Sequence, residues 1–87
     1  MSASAKPSAL AVTVADHLRA YFAANDDAQV GLYDEILQEV ERPLLQMTLQ
    51  RCRGNQIKAA AMLGINRNTL RKKLRDYGIA ARGESSV

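Results

Sequence analysis

Eight lysine or arginine side chains fall between Arg51 and Arg75, in the run RCRGNQIKAAAMLGINRNTLRKKLR, and no Asp or Glu falls among them. A polyphosphate partner rewards such clustering, because condensed counterions are released as Lys and Arg take their place. Residues 1–50 are acidic by contrast, with three bases (Lys6, Arg19, Arg42) against seven acids, so the net charge of +3 conceals a block of +8. A solvated helix face is the plainer reading of a charge run, but such faces usually mix signs. Other chemistries lack their parts. Cys52 alone can neither close an internal disulfide nor build a cysteine-cluster zinc site, and the single His17 has no metal partners and no triad around it. His17 therefore reads as structural, and neither an enzyme, a cofactor nor a metal centre is expected. No apolar run nears the ~20 residues of a membrane span. No basic stretch followed by an apolar core marks a signal peptide. A reduced, cytoplasmic setting fits.

Helices must position these cations. Gly54-Asn55 breaks the chain, and Asn55 is suited to cap a short helix from Gln56 to Leu63. Gly64 ends that helix as a left-handed residue would. Asn66 caps a last helix from Arg67 to about Asp76, closed by Tyr77-Gly78. Two helices joined through Gly64-Ile65-Asn66 form a helix-turn-helix. Ala60, four residues before Gly64, stands where anything larger than methyl would push the helices apart. Ala59, Leu63, Ile65, Leu70 and Leu74 mark the packing faces.

The preceding 53 positions read as two further helices. Residues 1–12, Ser/Ala-rich and interrupted by Pro7, read as a mobile arm. Thr13 and Asp16 have capping-box spacing, and Val14, Leu18, Tyr21 and Phe22 then share one helical face that stops near Asn25. Asn25 to Gly31 is a polar connection. From Leu32 onward, Leu32, Ile36, Val40, Leu44 and Met47 hold a face, widened by Tyr33, Leu37, Leu45, Leu49 and Cys52. The apolar period continues across Pro43, so one kinked helix is expected rather than two. Its apolar sides exceed what one short chain can cover, and a dimer is expected. The resulting division is an arm over 1–12, a two-helix dimerisation core over 13–53, a helix-turn-helix over 54–78 and a frayed tail over 79–87.

Roles follow from helix-turn-helix geometry, in which the start of the second helix enters the major groove. Arg67 is its first residue and can pair with guanine. Asn66 either caps the helix or reaches a base edge. Thr69, Arg71, Lys72 and Lys73 lie on the flanks, within reach of phosphates. Asn55 and the amide end of its helix suit another phosphate. Lys58, Arg51 and Arg53 add longer-range attraction, and Met47, Met62 and Leu63 read as core.

From Pro43 to Ile79 the chain resembles the C-terminal half of the Fis family of bacterial nucleoid proteins. GNQ, the Ala-rich helix, GINR, TLRKKL and YG stand in the family's order, with weaker similarity through LYDEILQEVERP and Tyr21-Phe22. The resemblance implies an all-α protein with four helices per subunit, intertwined as a homodimer, whose closely spaced recognition helices bend DNA and select a compressible, A/T-rich centre. It maps base contacts onto Asn66 and Arg67, and phosphate contacts onto Asn55, Thr69, Arg71, Lys72 and, less centrally, Lys73. Its implied partners are double-stranded DNA, a second copy of the chain and RNA polymerase, in the bacterial nucleoid. Three departures limit the transfer. Ile57 replaces a phosphate-contacting hydroxyl residue, Asp76 stands in place of a lysine, and the arm lacks the hairpin-like sequence with which some members stimulate DNA invertases. Invertase stimulation is therefore not carried over. The DNA-binding tail of NtrC-type activators is a shared relative. A chain beginning at Met1 favours the free-standing protein over such a tail, which would need an ATPase partner, and the Gly64 turn disfavours a basic protein-interaction module.

Overall fold

The computed structural model describes residues 6–25, 30–80 and 82. Four helices occupy them: α1 (Ala9–Ala24), α2 (Leu32–Arg51), α3 (Gln56–Leu63) and α4 (Arg67–Tyr77). They fall into two units, one ending at Val30 and one beginning at Gly31.

In the first unit, α1 begins four residues before the expected Thr13. Ser8 is its N-cap, its side chain accepting from the Ala11 amide at 3.1 Å. Thr13 lies inside the helix, its hydroxyl donating to the Ala9 carbonyl at 3.0 Å, and Asp16 pairs with Arg19 at 2.6 Å instead of closing a capping box. The expected arm is thus corrected at 9–12, where Ser8 followed by Ala-Leu-Ala is the stronger helix start. Residues 1–5 of that arm lie outside the described residues. Asn25 donates from Nδ2 to the Tyr21 carbonyl at 2.8 Å, at the expected end. The Tyr21 and Phe22 rings meet edge to face with centroids 5.7 Å apart, and no residue of α1 is buried.

The second unit is built on Leu45, Leu49, Ala59, Ala60, Leu70, Leu74 and Ile79, all buried, with Cys52, Leu63, Ile65 and Tyr77 packed against them. This core spans the expected boundary at 53/54, drawing on α2 as well as the helix-turn-helix. α2 is one helix through Pro43, as the continuous period predicts. Its two apolar faces have different fates. Leu45 and Leu49 are buried, whereas Tyr33, Leu37, Val40, Leu44 and Met47, spaced four and three apart, form an exposed stripe. Met47 and Met62 are exposed, contrary to the expectation that both are core, while Leu63 does pack on the core. Among the described residues the core numbers seven, which is small, so it reaches only one side of α2.

Gly64 has φ +75° and ends α3, with its own amide donating to the Ala60 carbonyl at 2.8 Å and that of Ile65 to the same oxygen at 3.0 Å. A Cβ at Gly64 would meet nothing within 4 Å, so the dihedral, not space, calls for glycine. The end of α4 repeats the device: the Ile79 amide donates to the Leu74 carbonyl at 2.8 Å and its side chain is buried. Ile79 therefore belongs to the core and not to a frayed tail, because a residue two beyond a helix end packs back on the last turn. Residues 81 and 83–87 lie outside the described residues.

Candidate nucleic-acid interface

Capping decides the local form of both helices that carry the cations. Asn55 accepts from the Lys58 amide at 3.1 Å and starts α3, and Asn66 accepts from the Asn68 amide at 2.7 Å and starts α4. Each uses Oδ1 for the cap, which turns over only the acceptor end of the amide; the two N–H donors of Nδ2 are the end suited to a phosphate or base acceptor. For Asn66 the capping alternative is therefore the one realised in the chain by itself, and it leaves the donor chemistry intact.

Leu70 and Leu74 turn one side of α4 into the core, and Arg67, Asn68, Thr69, Arg71, Lys72 and Arg75 are exposed. Arg67 and Arg71, four residues apart, line a recess with Gly54, Asn55, Gln56 and Ile57. The recess thus joins two guanidinium groups to the first turn of α3, where backbone amides lack helical partners. Guanidinium forks and such amides together suit a phosphate oxygen or the acceptor edge of a base. Ile57 gives this recess an exposed apolar wall, where a hydroxyl would have added a donor.

The two adjacent lysines differ. Lys72 pairs with Asp76 one turn on, at 3.0 Å, in an exposed contact. Lys73 turns away from the recess to Glu41 of α2, at 2.8 Å. The recess thus brings Asn55, Arg67 and Arg71 together; Thr69, Lys72 and Lys73 are not among its lining. Sequence reasoning missed Glu41, which meets Lys73 and Tyr77 across the helices, and Arg42, which meets Tyr77. The spacing of Lys73 and Tyr77 marked one face of α4, but nothing in it points to α2.

Arg53 has φ +54° in the turn before α3, beside Gly54, whose amide donates to the Leu49 carbonyl at 2.9 Å. A left-handed arginine is uncommon, and this one is exposed. Among the described residues, no three His, Cys, Asp or Glu side chains group as metal ligands, and no helix is long and apolar enough to cross a membrane.

Residues 36–77 match the bacterial regulatory protein, Fis family. DNA-binding protein Fis of Actinobacillus succinogenes is 51% identical over 69 residues, covering 78% of this chain and 70% of that protein. The chain belongs to the Fis family. Fis of Escherichia coli O1:K1 is similar to the same extent, 53% identical over 68 residues and 69% of its length. DNA-binding transcriptional regulator NtrC of Azospirillum brasilense is 58% identical over 72 residues, which are 80% of this chain but 15% of that protein. A second NtrC, from Rhizobium meliloti, is spanned over 17% of its length. The matched region contains all of α3 and α4 and most of α2.

Proposed function

We propose that this chain is a DNA-binding, DNA-bending transcriptional regulator that acts as a homodimer in the bacterial nucleoid. The observation that carries the reading is the recess in which Arg67 and Arg71 of α4 meet Asn55 and the first turn of α3, in a chain whose family members are named DNA-binding proteins. Arg67 reads guanine in the major groove, with Asn66 beside it donating from Nδ2. Asn55, Thr69, Arg71 and Lys72 hold phosphates, and Lys72 exchanges Asp76 for a phosphate oxygen to do so. The exposed stripe from Tyr33 to Met47 supports a second copy as its cover, since apolar side chains in one continuous row gain from leaving water together. In that dimer residues 13–53 supply the interface and 54–78 the DNA contact.

Two recognition helices closer than one turn of straight B-DNA require a bend and a narrowed central minor groove. The G·C amino group resists that narrowing, which gives a preference without a contact. Gel-shift assays with A·T, G·C and inosine·C centres test this. Affinity falls for G·C and recovers for inosine·C, which lacks the amino group; equal binding to all three removes the groove-compression mechanism. With about four phosphates neutralised per subunit, log K against log salt slopes near −7, at ~0.9 per phosphate.

A second reading rests on the 58% identity to NtrC: the same fold serves as the DNA-binding end of a longer regulator. Bending of A/T-centred duplexes by the 87-residue chain alone, read by circular permutation, favours the first reading; dimeric binding without a bend favours the second.

A further inference from the structure

Glu41 of α2 holds two donors from α4 at once. Its Oε2 meets Lys73 Nζ at 2.8 Å, and its Oε1 accepts from the Tyr77 hydroxyl at 2.5 Å. Lys73 and Tyr77 are four residues apart and so share one side of α4, a turn from each other. Arg42, the next residue of α2, donates from Nη1 to the Tyr77 carbonyl at 2.9 Å and stands over its ring, 4.9 Å from the centroid. That carbonyl belongs to the last residue of α4, where the helix leaves its final oxygens without amide partners. Four side chains thus strap the end of α4 to α2, and the Gly64 turn holds its other end.

Shelter separates this ion pair from its neighbour. The Lys73 and Glu41 side chains are 35% and 31% exposed, against 69% and 58% for Lys72 and Asp76. Exposed pairs exchange freely with solvent and with competing anions, and sheltered, doubly bonded carboxylates do so less. The hydrogen bond from Lys73, then that from Tyr77, hold the Glu41 carboxyl below its usual range against the partial burial that raises it.

We propose that Glu41 is a positioning residue for α4: with Tyr77 and Arg42 it sets the inclination of the helix, and it occupies Lys73 so that this lysine seats the helix instead of neutralising a DNA phosphate. The proposal rests on the DNA-binding reading above. It assigns the adjacent lysines opposite tasks, Lys72 to the duplex and Lys73 to the protein. It also makes the cationic surface of α4 smaller than its charge count.

Salt dependence distinguishes the two tasks, because each phosphate neutralised contributes ~0.9 to the slope of log K against log salt. The slopes of the full chain are compared with those of Lys73→Met, Arg71→Ala and Glu41→Gln on one specific and one random duplex, with circular dichroism confirming helix content. Lys73→Met keeps the parent slope, and Arg71→Ala lowers its magnitude by ~0.9 per subunit. Glu41→Gln, which keeps an acceptor for Tyr77 but loses the charge, raises it by up to ~0.9 per subunit and narrows the ratio of specific to random binding several-fold. A loss of slope in Lys73→Met equal to that in Arg71→Ala overturns the proposal. Should Lys73→Met or Glu41→Gln not fold, the carboxyl carbon-13 resonance of Glu41 in the unaltered chain decides: it stays in place as duplex is added, and a shift to the free-carboxylate position overturns the proposal. Absence of duplex binding by the unaltered chain would instead remove the DNA-binding reading itself.

Discussion

The two apolar faces of α2 contain the same kinds of side chain and meet opposite environments. Leu45 and Leu49 are 2% and 0% exposed, while Leu44 and Met47 on the neighbouring face are 51% and 68% exposed. The first face is complete within the chain, closed by α3, α4 and Ile79. The second is a row of oil open to water, and α1 likewise buries none of its residues. One region therefore depends on local packing and the other on whatever covers it. A protein so divided is expected to keep its DNA-facing unit folded on terms partly independent of its assembly.

The largest effect expected is on the finished side. Leu49→Ala removes a side chain with no exposed surface and should cost ~2–5 kcal/mol, read by denaturant titration at several protein concentrations. Leu44→Ala should cost little in a dilute chain and mainly weaken association, shifting a melting midpoint that rises with concentration. Equal, concentration-independent losses for both would break the comparison. Sedimentation of a folded, stable monomer at micromolar concentration would likewise remove the second copy proposed for the stripe.

Gly64→Val strikes the finished side through the backbone. A β-branched residue in the left-handed region is strained by ~1–2 kcal/mol or more, although its Cβ alone would meet nothing within 4 Å. Thermal melts followed by circular dichroism should show the loss. An unchanged melting curve would mean that the turn tolerates another dihedral.

Arg67→Ala touches neither apolar face. It should leave the melt unchanged and cost ~1–3 kcal/mol in binding to a specific duplex, with little loss on random sequence. Lys72→Ala should weaken both duplexes about equally. Uniform losses for both variants would overturn the division into base reader and phosphate clamp.

The smallest effect lies at the strap between α2 and α4. Tyr77→Phe removes one hydrogen bond worth ~0.5–1.5 kcal/mol, and the loss should depend on pH. The hydrogen bond to Glu41, burial and the Glu41 charge push the Tyr77 phenol up to about 12, against the opposing charge of Arg42. A raised acid keeps its proton longer in the folded state, so its stabilisation is full below pH ~10 and lost as pH climbs through ~12. Glu41 is held low by Lys73 and Tyr77, so its share is full above the ordinary carboxylate range and lost as pH falls through the lowered value. The stability difference between the parent and Tyr77→Phe should accordingly be flat between these limits and narrow at both ends. A constant difference up to pH 12 would show that the hydroxyl has no charged partner.

What the sequence by itself determined is the set of features written in neighbouring residues. Asn55 and Asn66 announce their helices because a cap reaches only two or three residues ahead, and Gly64 and Gly78 announce the ends because few other residues adopt their dihedrals. The segregation of eight cations into residues 51–75 needs no coordinates at all. Ser8 is legible in the same way as Thr13, since both offer a hydroxyl before an apolar period, and the cap forms at Ser8. Tertiary structure alone decided the rest. A period of 3.6 marks both apolar faces of α2 equally, and only the size of the core that α3 and α4 can build selects Leu45 and Leu49 for the inside. It also decided what each lysine does. Glu41 and Tyr77 are 36 positions apart, so no local pattern could reveal that Lys73 meets a carboxylate of α2 while Lys72, its neighbour, meets Asp76 one turn along α4 itself. Charge can be counted along the chain, but its direction is set only when the helices pack.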